Sequence, residues 1–165
     1  MPAFRGVDHV SFSVTDLDRS ERFYVDVLGL TQLMDFGYAR ILVDRPSGFM
    51  LSVVEHDAKA GGPFTELTTG LDHLGFAAES RDELVEWERR FDKYGVTYTP
   101  IRDMEFSYHL NFRDPDGIAL EFSAPYPILT SWLEELRERD IPREEIQTRV
   151  GEYLASLQSG VPPMS

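Results

Sequence analysis

The 165-residue chain contains no cysteine and only two lysines, Lys59 and Lys93. The first absence excludes disulfides, thiolate metal sites and a cysteine nucleophile, and it fits a cytoplasmic protein. The second leaves few candidates for gripping a phosphate or phosphonate through an ammonium group, although arginines remain. Positive charge is scarce overall: 16 Lys and Arg stand against 29 Asp and Glu, for a formal net charge of −13. Nucleic acid and anionic membrane surfaces would be repelled, so neither is an expected partner. No apolar run approaches the roughly 18–20 residues that span a bilayer. The opening MPAFRGVDHVSF lacks a signal-peptide layout. What is present, 42% hydrophobic and 12% aromatic residues, suits a folded domain with a real core.

One pattern occurs twice. DHVSFSVTDLDRSERFYVDVLGL (8–30) and DHLGFAAESRDELVEWERRFDKYGV (72–96) each open on Asp-His. Each then alternates like a strand, changes to helical spacing and closes near a glycine. Asp16 or Asp18, and Ser80, are expected N-caps; Gly29 and Gly95 are expected helix stops. Three short strands are expected after each helix, at 30–35, 38–44 and 49–55, then at 97–102, 107–113 and 118–123. The turns RPSG and DPDG join the last two strands of each half. The prediction is an α+β fold of two βαβββ modules, 5–55 and 70–124, curled into a mixed sheet around a concave cavity. Residues 1–125 form this domain, with 56–71 as linker. Residues 126–165 form a C-terminal extension of two amphipathic helices separated by Pro142, with a loose tail. The apolar stripes of those helices are expected to pack on the domain's own surface.

Period-two alternation places His9 and His73 on the strand faces opposite the apolar residues Val10, Phe12, Leu74 and Phe76. On the last strand, Glu121 shares its face with Ala119 and Ser123, while Leu120 and Phe122 point the other way. If the modules curl into one concave surface, His9, His73 and Glu121 meet on its inner side. Two imidazoles and a carboxylate suit Fe(II) or Mn(II), with Zn(II), Ni(II) and Co(II) also possible, and leave coordination positions open. A lone strand histidine is ordinarily a hydrogen-bonded rim residue and a lone glutamate a solvated one. The repeat is what joins them, because it puts both histidines at equivalent positions.

DHVSFSVTDLDRSERFYVDVLGL, LDHLGFAAES and NFRDPDGIALEF resemble the module openings and the closing strand of the vicinal oxygen chelate superfamily. That superfamily includes glyoxalase I, extradiol dioxygenases, fosfomycin-modifying enzymes, methylmalonyl-CoA epimerase and bleomycin-resistance proteins; the likeness covers residues 5–124. It implies metal ligands at four equivalent positions, the first and last strands of each module. His9, His73 and Glu121 would fill three, with Ser52 in the fourth. Glyoxalase I and the epimerase use four protein ligands, so a set of three points toward the dioxygenases and the fosfomycin enzymes. It also implies a homodimer and a small-molecule substrate chelated through neighbouring oxygens.

Dioxygenase chemistry would need nearby acid/base groups. His109 is the leading candidate, with Asn111 on its face and Arg40 as its repeat equivalent; Tyr108 points away unless a bulge intervenes. A glyoxalase-like lyase or isomerase is the related reading. Scarce lysine speaks against a fosfomycin-type transferase. The competing class is a bleomycin-resistance-type protein that sequesters a drug or metabolite without catalysis, which the acidity of the chain would suit for a cationic ligand.

Overall fold

The structure is a computed structural model that describes residues 6–57 and 63–159. Lys59, the middle of the linker and the C-terminal tail lie outside the described residues. Strand β1 (His9–Ser13) leads into helix α1 (Leu17–Arg22), followed by β2 (Thr31–Asp35), β3 (Ala39–Val43) and β4 (Met50–Val54). The second half repeats the plan: β5 (Leu74–Ala77), α2 (Arg81–Tyr94), β6 (Arg102–Asp103), β7 (Ser107–Arg113) and β8 (Ala119–Pro125). Each half forms its own four-stranded mixed sheet, in the orders β1-β4-β3-β2 and β5-β8-β7-β6. The α+β fold with two βαβββ modules is therefore present, as two sheets.

Local chemistry sets the boundaries. Asp16 and Ser80 cap α1 and α2 by accepting from the amides of Arg19 and Glu83. Gly95 ends α2 in the left-handed conformation, φ 66°, which lets its N–H satisfy the last carbonyls. Beyond Arg22 the first helix widens into a π-helical stretch, Phe23–Val27, which buries both Phe23 and Tyr24. The strand expected over 97–102 does not form as one piece. Tyr98 makes a single bridge to Phe112, and pairing resumes only at Arg102–Asp103. Pro100, which has no amide hydrogen, stands in the gap.

The two modules share one core. Phe12, Tyr24, Leu42 and Leu51 of the first pack in one buried cluster with Leu84, Phe91, Leu110, Phe112 and Phe122 of the second. Arg90 of α2 donates to the carbonyls of Val27 and Asp26. The DPDG turn is also tied to the first module: Asp114 accepts from the Tyr24 hydroxyl at 2.9 Å, and Asp116 accepts from the Thr15 amide at 3.0 Å.

The extension forms α3 (Pro127–Glu138) and α4 (Arg143–Ser159). Trp132 and the buried Tyr153 pack on Phe106, with ring centroids 6.1 and 5.0 Å away, so the stripes seat on the domain at these two residues, while Leu133 and Leu136 stay exposed. Glu135 and Glu145 pair with Arg139 and Arg149 to clamp the hairpin. No helix among the described residues is long and apolar enough to cross a membrane.

Candidate metal centre

Glu121 lies mid-strand on β8, paired with Gly75 of β5 on one side and Asn111 of β7 on the other. Only 7% of it is exposed. Its two oxygens are used differently. Oε2 accepts from His109 Nδ1 at 2.6 Å, and Oε1 lies 3.9 Å from His73 Nε2. A Cβ at Gly75 would lie 3.9 Å from Oε1, in ordinary van der Waals contact. The far nitrogen of His109 meets the hydroxyl of Ser107 at 2.6 Å.

Both module-opening histidines are held in the same way. His9 Nδ1 lies 2.8 Å from the Asp8 carboxylate, and His73 Nδ1 lies 2.6 Å from that of Asp72. A carboxylate on Nδ1 fixes the tautomer with the proton there, so the Nε2 lone pair is free to bind an ion. Donors each about 2.1 Å from one ion lie about 3–4 Å apart, a range that the His73–Glu121 separation meets. The residues present therefore fit a divalent cation. His9 is not brought to this pair within one chain: among the described residues, no group of three His, Cys, Asp or Glu side chains is close enough to hold a metal. His9 opens the first sheet, Glu121 lies in the second, and His73 immediately precedes β5 of that second sheet.

The other sequence candidates separate by strand face. His109 and Asn111 share the Glu121 face of β7, and the β7–β8 register runs without a bulge. Tyr108 accordingly points to the other side, where it packs edge-on against Tyr126 at 4.9 Å. It is not part of the site. Arg40 is also elsewhere: it pairs with Asp18, Glu21 and Asp35 and lies against α1. The supposed equivalence of Arg40 with His109 was off by one residue. The first β-turn encloses Arg45–Gly48, between the paired Asp44 and Phe49, whereas the second encloses Pro115–Gly117, between Asp114 and Ile118. The extra residue shifts β3 relative to β4, and a shift of one moves a side chain to the opposite face. Ala39, paired with Val54, is the true counterpart of His109, and Ile41, paired with Ser52, is that of Asn111. Ser52 itself is buried and registered with Ser11, as Glu121 is with Gly75.

Sequence reasoning missed Asp8, Asp72 and Ser107. The first two were signalled by the repeated Asp-His dipeptide, whose acid was read only as part of a pattern. Ser107, two positions before His109 on one strand, was within reach of the same alternation argument.

The profile of the Glyoxalase/Bleomycin resistance protein/Dioxygenase superfamily matches residues 6–122. A glyoxylase/bleomycin resistance protein/dioxygenase domain from Frankia sp. EAN1pec has a solved structure that is 36% identical, with a TM-score of 0.70 over 76% of this chain and 95% of that one. A probable trivalent organoarsenical cleaving enzyme of Bacillus subtilis (strain 168) is 28% identical over 69% of this chain and 76% of its own length. The metallothiol transferase FosB of Staphylococcus saprophyticus is 28% identical over 71% of this chain and 75% of its own. With the fold, the duplicated sheets and the profile in agreement, the chain belongs to the Glyoxalase/Bleomycin resistance protein/Dioxygenase superfamily.

Proposed function

We propose that this protein is a divalent-metal-dependent enzyme whose ion is held by His9, His73 and Glu121, with His9 supplied by a second copy of the chain. The observation that carries this reading is the matched pair of Asp-His contacts, which leaves both Nε2 atoms free, together with the Oε1 of Glu121 facing His73. Because His9 stays apart from the other two in one chain, a homodimer that brings the first sheet of one copy to the second sheet of the other completes the set. Fe(II) or Mn(II) suits the ligands best. When bound, such an ion supplies Lewis acidity or redox chemistry to a substrate that chelates it through two neighbouring oxygens.

The chain's own residues narrow the substrate. Trivalent arsenic seeks thiolates, and a chain without cysteine offers none, so organoarsenical cleavage is disfavoured. A strongly anionic phosphonate finds few cations here: lysine is scarce and Arg113 is already paired with Glu66, which leaves Arg102, in register with His109. Dioxygenase or lyase/isomerase chemistry on a neutral or weakly charged vicinal diol or hydroxycarbonyl is the reaction class we favour. Glu121 and the two histidines would position it, and Asn111, beside Glu121, offers a hydrogen-bonding amide on the same face.

Metal analysis after reconstitution with Fe(II) or Mn(II) tests the reading. Wild-type protein is expected to retain stoichiometric metal, and His9→Ala, His73→Ala and Glu121→Ala are each expected to lose it while staying folded. If the wild-type protein binds no metal, the competing reading, sequestration of an uncharged or cationic ligand, gains support. The exposed Leu33, Met34, Phe36 and Tyr38 along β2 and its turn would then be its contact surface.

A further inference from the structure

Glu121 is held from behind by a hydrogen-bonded chain that the ligand set does not require. Ser107, His109 and Glu121 are joined by two contacts of 2.6 Å each. Ser107 is 6% exposed and Glu121 is 7% exposed, so both ends of the chain are shielded from bulk water, while the His109 side chain between them is 26% exposed. The roles follow from donor and acceptor chemistry. The carboxylate accepts, so His109 donates from Nδ1–H; its Nε2 is then a lone pair, which accepts from the Ser107 hydroxyl. The carboxylate thereby sets the tautomer, and the Ser107 hydroxyl, which can donate or accept, supports it from the far nitrogen. Both ring nitrogens are committed, which leaves His109 no atom with which to move a substrate proton. The same order of groups occurs in nucleophilic triads, but the Ser107 hydroxyl is buried and already donates inward.

Resting on the metal reading above, we propose that His109 is a positioning residue. It ties up Oε2 of Glu121, aims Oε1 toward His73 and so makes Glu121 a one-oxygen ligand. That arrangement keeps one more coordination position open for substrate than a two-oxygen carboxylate would. A long flexible side chain otherwise samples several rotamers, and an outer partner of this kind is worth about 10–100-fold in metal affinity. The absence of a histidine at the equivalent place in the first module, where Ala39 stands, is consistent with Ser52 not being a ligand there.

The test is titration of Mn(II) into the apo full chain, followed by calorimetry and by the Mn(II) electron paramagnetic resonance spectrum. His109→Ala is expected to weaken Mn(II) binding about 10–100-fold with unchanged stoichiometry and an altered spectrum. Ser107→Ala should move affinity in the same direction by less, and His109→Gln, which keeps an N–H donor, should recover part of the loss. Should His109→Ala fold poorly, the other two variants carry the comparison. Wild-type affinity in all three overturns the role of His109 and leaves the metal centre intact. Complete loss of stoichiometry in His109→Ala makes it a ligand and overturns the positioning role. No Mn(II) binding by the wild-type chain, or undiminished binding by Glu121→Ala, removes the metal reading and this proposal with it.

Discussion

Replacing Asp114 with alanine tests how the two modules are locked together. Its carboxylate is 5% exposed and accepts three hydrogen bonds: Ile118 N–H at 2.7 Å, Asp116 N–H at 2.9 Å and the Tyr24 hydroxyl at 2.9 Å. Burial pushes its carboxyl above the ordinary value of 3.8, while the bonds from Ile118, Tyr24 and Asp116 pull the other way. In Asp114→Ala the Asp116 amide can turn to water. The Tyr24 hydroxyl, on a side chain with no exposure, and the buried Ile118 amide cannot. Stranding a buried partner costs about 1–3 kcal/mol, so two give about 2–6 kcal/mol. At roughly 2–4 °C per kcal/mol for a domain of this size, Tm should fall by about 4–24 °C. Tyr24→Phe leaves Asp114 its two amides and should cost about 1 kcal/mol. Denaturant unfolding of both variants and of the double variant measures the coupling. A loss below about 1 kcal/mol for Asp114→Ala, or strict additivity with Tyr24→Phe, would refute the reasoning.

Other outcomes follow from the same contacts. Arg40→Ala should lower Tm, because it leaves Asp18, Glu21 and Asp35 without their shared cation, yet leave Mn(II) affinity unchanged in calorimetry. Asp72→Ala should weaken Mn(II) binding about 10–100-fold, short of the full loss in His73→Ala, because it frees the imidazole to turn without removing its nitrogen. The helical hairpin should loosen in acid. Hydrogen bonds from Arg149 and Arg139 hold the Glu135 carboxyl below its ordinary value of 4.5, so its contribution is present above that pH and is lost as pH falls through the folded value. Trp132 fluorescence should report the change, and high salt should shift it in the same direction.

The repeat made the fold legible. Once two Asp-His openings and two Pro-Gly turns are aligned, the order of elements along the chain follows from the repeat, and the shared face of Ala119, Glu121 and Ser123 follows from alternation. Alternation failed where the copies differ in length. One extra residue in the Arg45–Gly48 turn carried Arg40 to the helix-covered face, and Pro100 broke a strand whose neighbours favour one. The site was legible in its ligand candidates and not in their support. Asp8, Asp72 and Ser107 act on atoms of neighbouring side chains, and the repeat and the alternation place these residues beside the histidines without saying which atoms they hold.

The central claim is a metal centre built from two copies of the chain, and subunit complementation addresses it directly. His9→Ala and Glu121→Ala chains, each expected to bind no Mn(II) alone, are unfolded, mixed in equal amounts and refolded together. A shared site predicts that each mixed dimer regains one intact centre, so binding returns at about one ion per four chains. Binding that stays absent in the mixture, while the wild-type chain treated in the same way binds fully, would contradict it.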